Sequence, residues 1–151
     1  MDLRELQAEY RKVTPDKLVP GTLVLTELST EDGLTLVDRE SKIKRLVVIG
    51  VDRQRNICYG SLLVNTKPNP RARYSEEFLR AQFLLKREDY PDFLRYDSTL
   101  DCGELFSIPI QKLVAGQYYG SLKDSDKQAV WQILQSTTIH SPKQKKRYGI
   151  M

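Results

Sequence analysis

The chain of 151 residues carries 24 Lys and Arg against 20 Asp and Glu, with two Cys and one His, and it is long enough to bury a core without disulfide or metal staples. Its 40% hydrophobic and 29% charged content excludes a disordered tail and a coiled coil, no apolar run reaches the roughly 20 residues that cross a bilayer, and the stretch from Met1 to Glu5 lacks a signal peptide's apolar centre. Two cysteines without a second pair exclude a disulfide framework and a Cys-based zinc cage, and a lone His140 argues against a His-based triad or multi-His metal site, so the expectation is a cytoplasmic single domain over residues 1–151 with no cofactor and no membrane partner.

In chain order, Leu3, Leu6 and Tyr10 stand at helical spacing and predict a short N-terminal helix over residues 2–12, ended before Pro15. Val19-Pro20-Gly21 then opens a β-rich stretch. A strand is expected at 22–28, a tight turn at Asp32-Gly33, and a returning strand at 34–37. Residues 44–51 are apolar on both faces and predict a central strand, with a polar turn at 52–56 and a hairpin partner at 57–64. Ser75 to Phe78 begins a short helix, further strands fall near 83–85 and 97–102, and the segment 105–109 follows. The last expected helix runs from a cap at Asp124 or Ser125 to about Thr137. Its inward stripe is Ala129, Val130, Ile133, Leu134 and Thr137, with Asp126 outward and Trp131 at the edge. The barrel and its helix thus fill about 19–139, and residues 140–151 read as a frayed basic tail with His140 at the surface. Many short strands with one C-terminal amphipathic helix describe a mainly β fold, a small barrel with a packed helix.

The chemistry-bearing motifs are few. No phosphate-cradling glycine loop, dinucleotide fingerprint or nucleophile elbow is present. Cys58 and Cys102 sit inside apolar strand patterns and read as buried structural thiols. Tyr90, Phe93 and Tyr96 read as packing residues before base-stacking ones. Net charge is only +4, but the cations cluster at Lys42 to Arg55, at Lys67 to Arg73 and at Lys143 to Arg147. What remains open is phosphodiester handling by cations and hydroxyls. Lys44 and Arg45 head the central strand, and Asn65, Thr66 and Lys67 end its hairpin partner. A reversal at 52–56 brings 44 and 45 opposite 64–66. Any polar hairpin end has the same appearance.

The order of short motifs resembles the MazF/PemK family of growth-inhibiting toxins over roughly residues 19–139. The matching positions are Pro20 to Val24, Lys44 to Ile49, Val64-Asn65-Thr66, Asp97-Ser98, Leu105, Ile108, Leu113, Gly120-Ser121-Leu122, Val130, Leu134 and Ser136. This resemblance implies an SH3-like barrel, a homodimer, a cognate antitoxin, and metal-independent endoribonuclease activity on single-stranded RNA. In that family an Arg and a Thr or Ser assist attack of the ribose 2′-hydroxyl on its own phosphate. Carried over by position, Thr66 matches the hydroxyl residue, while Lys44 takes the place of the Arg and Arg45 that of the following Pro. Only one of the two cations can face the site, since neighbouring strand residues point oppositely. Asn65 and Lys67 would position RNA. Two other readings accompany this one: a catalytically inactive module binding nucleic acid or protein through its basic face, and a toxin acting on a protein target.

Overall fold

The computed structural model describes residues 2–34, 36, 41–65 (Asn65 by its backbone alone) and 75–150. In chain order these form α1 (Leu3–Arg11), β1 (Thr22–Ser29), β2 (Ser41–Asp52), β3 (Ile57–Asn65), α2 (Glu76–Arg80), β4 (Gln82–Leu85), β5 (Ser98–Asp101), β6 (Phe106–Pro109), α3 (Ile110–Val114), β7 (Gln117–Ser121), α4 (Asp124–Ser136) and α5 (Pro142–Tyr148). The seven strands build one curled antiparallel sheet in the order β4-β5-β3-β2-β1-β7, with β6 also pairing β3. It is the small β-barrel with helices that the strand pattern predicts.

β2 owes its central place to apolar residues on both faces. Leu46 and Val48 enter a core with Leu18, Val24, Leu62, Ile108 and Leu113. Val47 and Ile49 enter another with Leu23, Leu63, Leu100, Val130 and Leu134. The two-residue strand period separates the two sets. β3 divides its outer edge between two partners: Ile57 to Gly60 pair β6, and Leu63 to Asn65 pair β5. At the changeover Ser61 is fully buried and its hydroxyl donates to the Asp101 carbonyl.

The expected hairpin at Asp32-Gly33 takes a different form. Among the described residues β1 pairs β2 and β7, with Leu23 opposite Val47 and Ser29 opposite Ser41. Residues 30–32 form a 3₁₀ turn whose box is closed by Ser29 and Asp32, and Gly33 exits at φ 101°. Leu34 and Leu36 are not in a strand, and Thr35 and Val37 lie outside the described residues. The Asp32 carboxylate, held by the Ser29 amide and by Lys112, commits the chain to a helical turn rather than a two-residue reversal.

The C-terminal dozen residues are the second correction. Pro142–Tyr148 fold as α5 instead of fraying. Ser141 and Gln144 close a reciprocal capping box, and Gly149 leaves the helix at φ 78° with its amide bonded to Lys146 and that of Ile150 to Lys145. Tyr148 packs edge-on against Tyr59 at 4.9 Å, and Ile150 is buried. His140 is buried too, its Nε2 donating to the Cys102 carbonyl at 2.8 Å. Gly50 makes the docking feasible, since a Cβ there would stand 2.0 Å from the Tyr148 carbonyl oxygen. On α4, Asp126 accepts the Tyr90 hydroxyl instead of facing solvent, and the same hydroxyl accepts from the Lys123 amide. Asp124 is the first helical residue, with Lys123 at the cap.

Cys58 and Cys102 are free and buried, one in each core. Burial pushes their thiols up to about 11 and about 12 respectively. Both therefore stay protonated at neutral pH, where the thiolate is the reactive form. Native protein treated with iodoacetamide near pH 8 is expected to take up no label, while guanidinium exposes both thiols to it. Mass spectrometry of the intact chain reads the result, and a singly labelled native protein would contradict the burial.

Candidate functional site

The β2–β3 ladder carries a register shift between Val48 and Gly50, runs through Leu46↔Leu62, and stops two residues short of Lys44. Beyond that point β3 pairs β5, through Leu63↔Leu100, Val64↔Thr99 and Asn65↔Ser98. The count continued from Leu46↔Leu62 brings Lys44 level with Val64, as expected, but Arg45 level with Leu63 and not with 64–66, and no bonded pair joins either. The two strands part here, and the sheet opens.

Lys44 and Arg45 fall on opposite faces of β2. Arg45 shares the face of Val47 and Ile49, and its Nε donates to the Phe93 carbonyl at 2.5 Å. It ties the 86–97 segment to the sheet. Lys44 shares the face of Leu46 and Val48 and stands opposite Thr26. Along the same face, Val64, Thr99 and Leu84 form a row across three strands. Val64 is 44% exposed and Leu84 49% exposed, so this face carries apolar surface open to solvent where the strands part.

Lys44 is half-buried, and no hydrogen bond or ion pair engages its side chain among the described residues. Burial lowers its pKa, and the neighbouring Lys42 lowers it further. A desolvated cation without a counter-charge is costly in a folded chain, and an anion bound beside it offsets that cost. Lys112, by contrast, is ion-paired to Asp32. Burial by itself would raise the Asp32 pKa, but hydrogen bonds from Lys112 and Ser29 outweigh it and hold the carboxyl below its ordinary value. Thr26 is buried, with its hydroxyl 3.4 Å from the Lys112 carbonyl.

Of the other predicted site residues, Asn65 closes β3 and its backbone pairs Ser98. Thr66 and Lys67 lie outside the described residues, as do Arg71 and Arg73. Arg53 donates to the Pro15 and Leu18 carbonyls, and Arg55 pairs with Asp52. These two cations of the strand pair serve the fold. Tyr90 and Phe93 are buried, whereas Tyr96 is 68% exposed.

The pattern of the sequence gave no sign of a cleft of about 330 Å³ between α1, the 86–97 segment and β7, lined by Tyr10, Tyr90, Phe93, Tyr119 and Ser121 among others. α1 has no buried residue and is held there by Arg11, which stacks on Tyr119 at 4.0 Å and donates to the Tyr118 carbonyl. The signal that could have located β7 was Gln117-Tyr118-Tyr119, a short aromatic run between Gly116 and Gly120. Among the described residues there is no group of three or more His, Cys, Asp or Glu that could hold a metal ion, and no helix is long and apolar enough to cross a membrane. No family model matches the chain, and no curated protein matches it.

Proposed function

We propose that the protein is a metal-independent endoribonuclease of the toxin–antitoxin type, acting in the cytoplasm on single-stranded RNA, with Lys44 as its phosphate-binding cation. The observation that carries this reading is the half-buried Lys44, without a counter-ion among the described residues, on the face where β2 and β3 part. Thr66 follows directly on Asn65, the last residue of β3, and brings a hydroxyl to the chain leaving that end. The reaction is an in-line displacement. The 2′-oxygen bonds to the adjacent phosphorus as the bond to the 5′-oxygen breaks, the 2′-hydroxyl loses its proton and the departing 5′-oxygen gains one. The products are a 2′,3′-cyclic phosphate and a 5′-hydroxyl. Lys44 stabilises the charge that builds on the non-bridging oxygens, and the Thr66 hydroxyl donates to the same phosphate. Asn65 and Lys67 position the strand. By the family resemblance, the active form is a homodimer held in check by an antitoxin.

One observation favours a second reading, a module of the same fold that binds RNA without cutting it. An ammonium group lacks the planar fork with which a guanidinium grips phosphate, and the adjacent Arg45 is turned to the opposite face and tied to Phe93. Incubation of purified protein with mixed-sequence RNA in EDTA separates the two. Cleavage leaving cyclic ends is expected, together with its loss in Thr66→Ala. Salt-sensitive binding with intact RNA selects the binding module, and cleavage indifferent to Thr66→Ala removes the assigned site.

A further inference from the structure

We infer that α5 is a preformed electrostatic rail for the RNA backbone, separate from the Lys44 face and extending the substrate class of the proposed ribonuclease to strands long enough to reach both. The inference takes its ligand class from that proposal.

Within seven residues α5 holds Lys143, Lys145, Lys146 and Arg147 and no acidic residue. Lys145 is used internally, its ammonium donating to the Gln135 carbonyl at the end of α4. The other three are exposed, and none of their side chains takes part in an ion pair or hydrogen bond among the described residues. Residues 143, 146 and 147 are spaced i, i+3 and i+4, so the three free cations share one face of the helix. Like charges at those spacings oppose helix formation, and Lys143 in the first turn also opposes the helix dipole. The helix nevertheless forms, because the Ser141–Gln144 box, the Gly149 cap, the packing of the partly buried Tyr148 and the burial of Ile150 hold it against β2 at Gly50. The fold thus fixes a repulsive set of cations in place. A polyanion relieves that repulsion and meets side chains whose helix is already ordered.

The alternative occupant of a basic helix is an anionic membrane surface, which requires an apolar face turned outward as well. On α5 the aromatic residue, Tyr148, packs inward against Tyr59, and His140 and Ile150, which flank the helix, are buried. A nucleic-acid backbone needs only the charges. Gly50, where α5 sits, lies six residues along β2 from Lys44, about 20 Å at the rise of a strand, and Tyr148 and Ile150 pack in the core on the other face of β2, so that distance is a minimum. A dinucleotide cannot bridge that gap, whereas a longer strand can.

The test uses the full chain and a long 2′-O-methyl oligouridine, which binds but lacks the attacking hydroxyl. Replacement of Lys143, Lys146 and Arg147 together by Gln is expected to weaken binding at least tenfold at low salt. It should also flatten the log–log salt slope by about 2, since each single-strand phosphate contact contributes about 0.7. Each single replacement should take about a third of that slope. Cleavage of a dinucleotide should stay at the wild-type rate. An unchanged slope in the triple variant overturns the inference, as does retained RNA affinity with lost binding to phosphatidylserine vesicles. Failure of the ribonuclease proposal reads differently: no substrate is cut, while the salt slope still responds to α5.

Discussion

Lys44→Gln is expected to slow single-turnover RNA cleavage by about 10²–10³-fold, the range for removing one group that stabilises transition-state charge. Arg45→Gln is expected to leave the chemistry in place and to cost roughly 1.5–3 kcal/mol of stability. The opposite behaviour of adjacent cations follows from the strand period. Lys44 lies on the face with Leu46, without a counter-ion among the described residues, and its partial burial, with Lys42 beside it, lowers its pKa. Arg45 lies on the face with Val47 and spends its Nε on the Phe93 carbonyl, so its loss leaves a partly buried acceptor unmatched. Lys44→Arg supplies the bidentate fork on the same face and is expected to retain or increase the rate. Cleavage kinetics paired with urea unfolding of each variant decide the matter. Full activity in Lys44→Gln, or loss of cleavage in Arg45→Gln at unchanged stability, would reverse the assignment.

The sequence was most legible where one physical signal dominated. The doubly apolar run at 44–51 declares a central strand because only a strand covered on both faces tolerates it, and β2 is that strand. The buried state of Cys58 and Cys102 is legible for the same reason. Elements whose identity depends on distant partners were not. Leu34 to Val37 has strand composition, yet Leu34 and Leu36 are not in a strand, because the Asp32 carboxylate is claimed by Ser29 and by Lys112, 80 residues away. α5 has the composition of a solvated tail. Its order comes from Gly50, Tyr59 and the Cys102 carbonyl, which only the tertiary structure brings to Tyr148 and His140. For the site, the strand count correctly placed Lys44 and Arg45 on opposite faces. Which of them was free was invisible, since the Phe93 carbonyl that occupies Arg45 lies 48 residues away.

Leu46 supplies the largest stability effect expected from a single residue near the site. It is fully buried in the core between β1, β2 and β3, and it is the last residue of β2 bonded to β3 before the strands part. Leu46→Ala should cost about 2–5 kcal/mol, the range for truncating a buried leucine and leaving a cavity. Gly60 lies beside it. A Cβ at residue 60 would stand 2.6 Å from Leu46 Cδ1 and 2.7 Å from its Cγ, so the glycine is there to admit this leucine. Gly60→Ala alone overpacks the core and should cost about 1–3 kcal/mol. The two changes are therefore coupled with a known sign. In the double variant the alanine methyl at residue 60 enters space that Leu46 has vacated, and the clash disappears with the leucine side chain. The combined loss should fall below the sum of the single losses by at least about 0.5 kcal/mol, within the range seen for residues in contact. Urea unfolding of the three variants and the parent gives the cycle. Strict additivity would mean that the glycine is required by the backbone of β3 and not by Leu46. Lys44 follows two residues before Leu46 on the same face, so a loosened Leu46 also loosens the seat of the proposed phosphate. The double variant should consequently recover part of the RNA cleavage that Leu46→Ala loses.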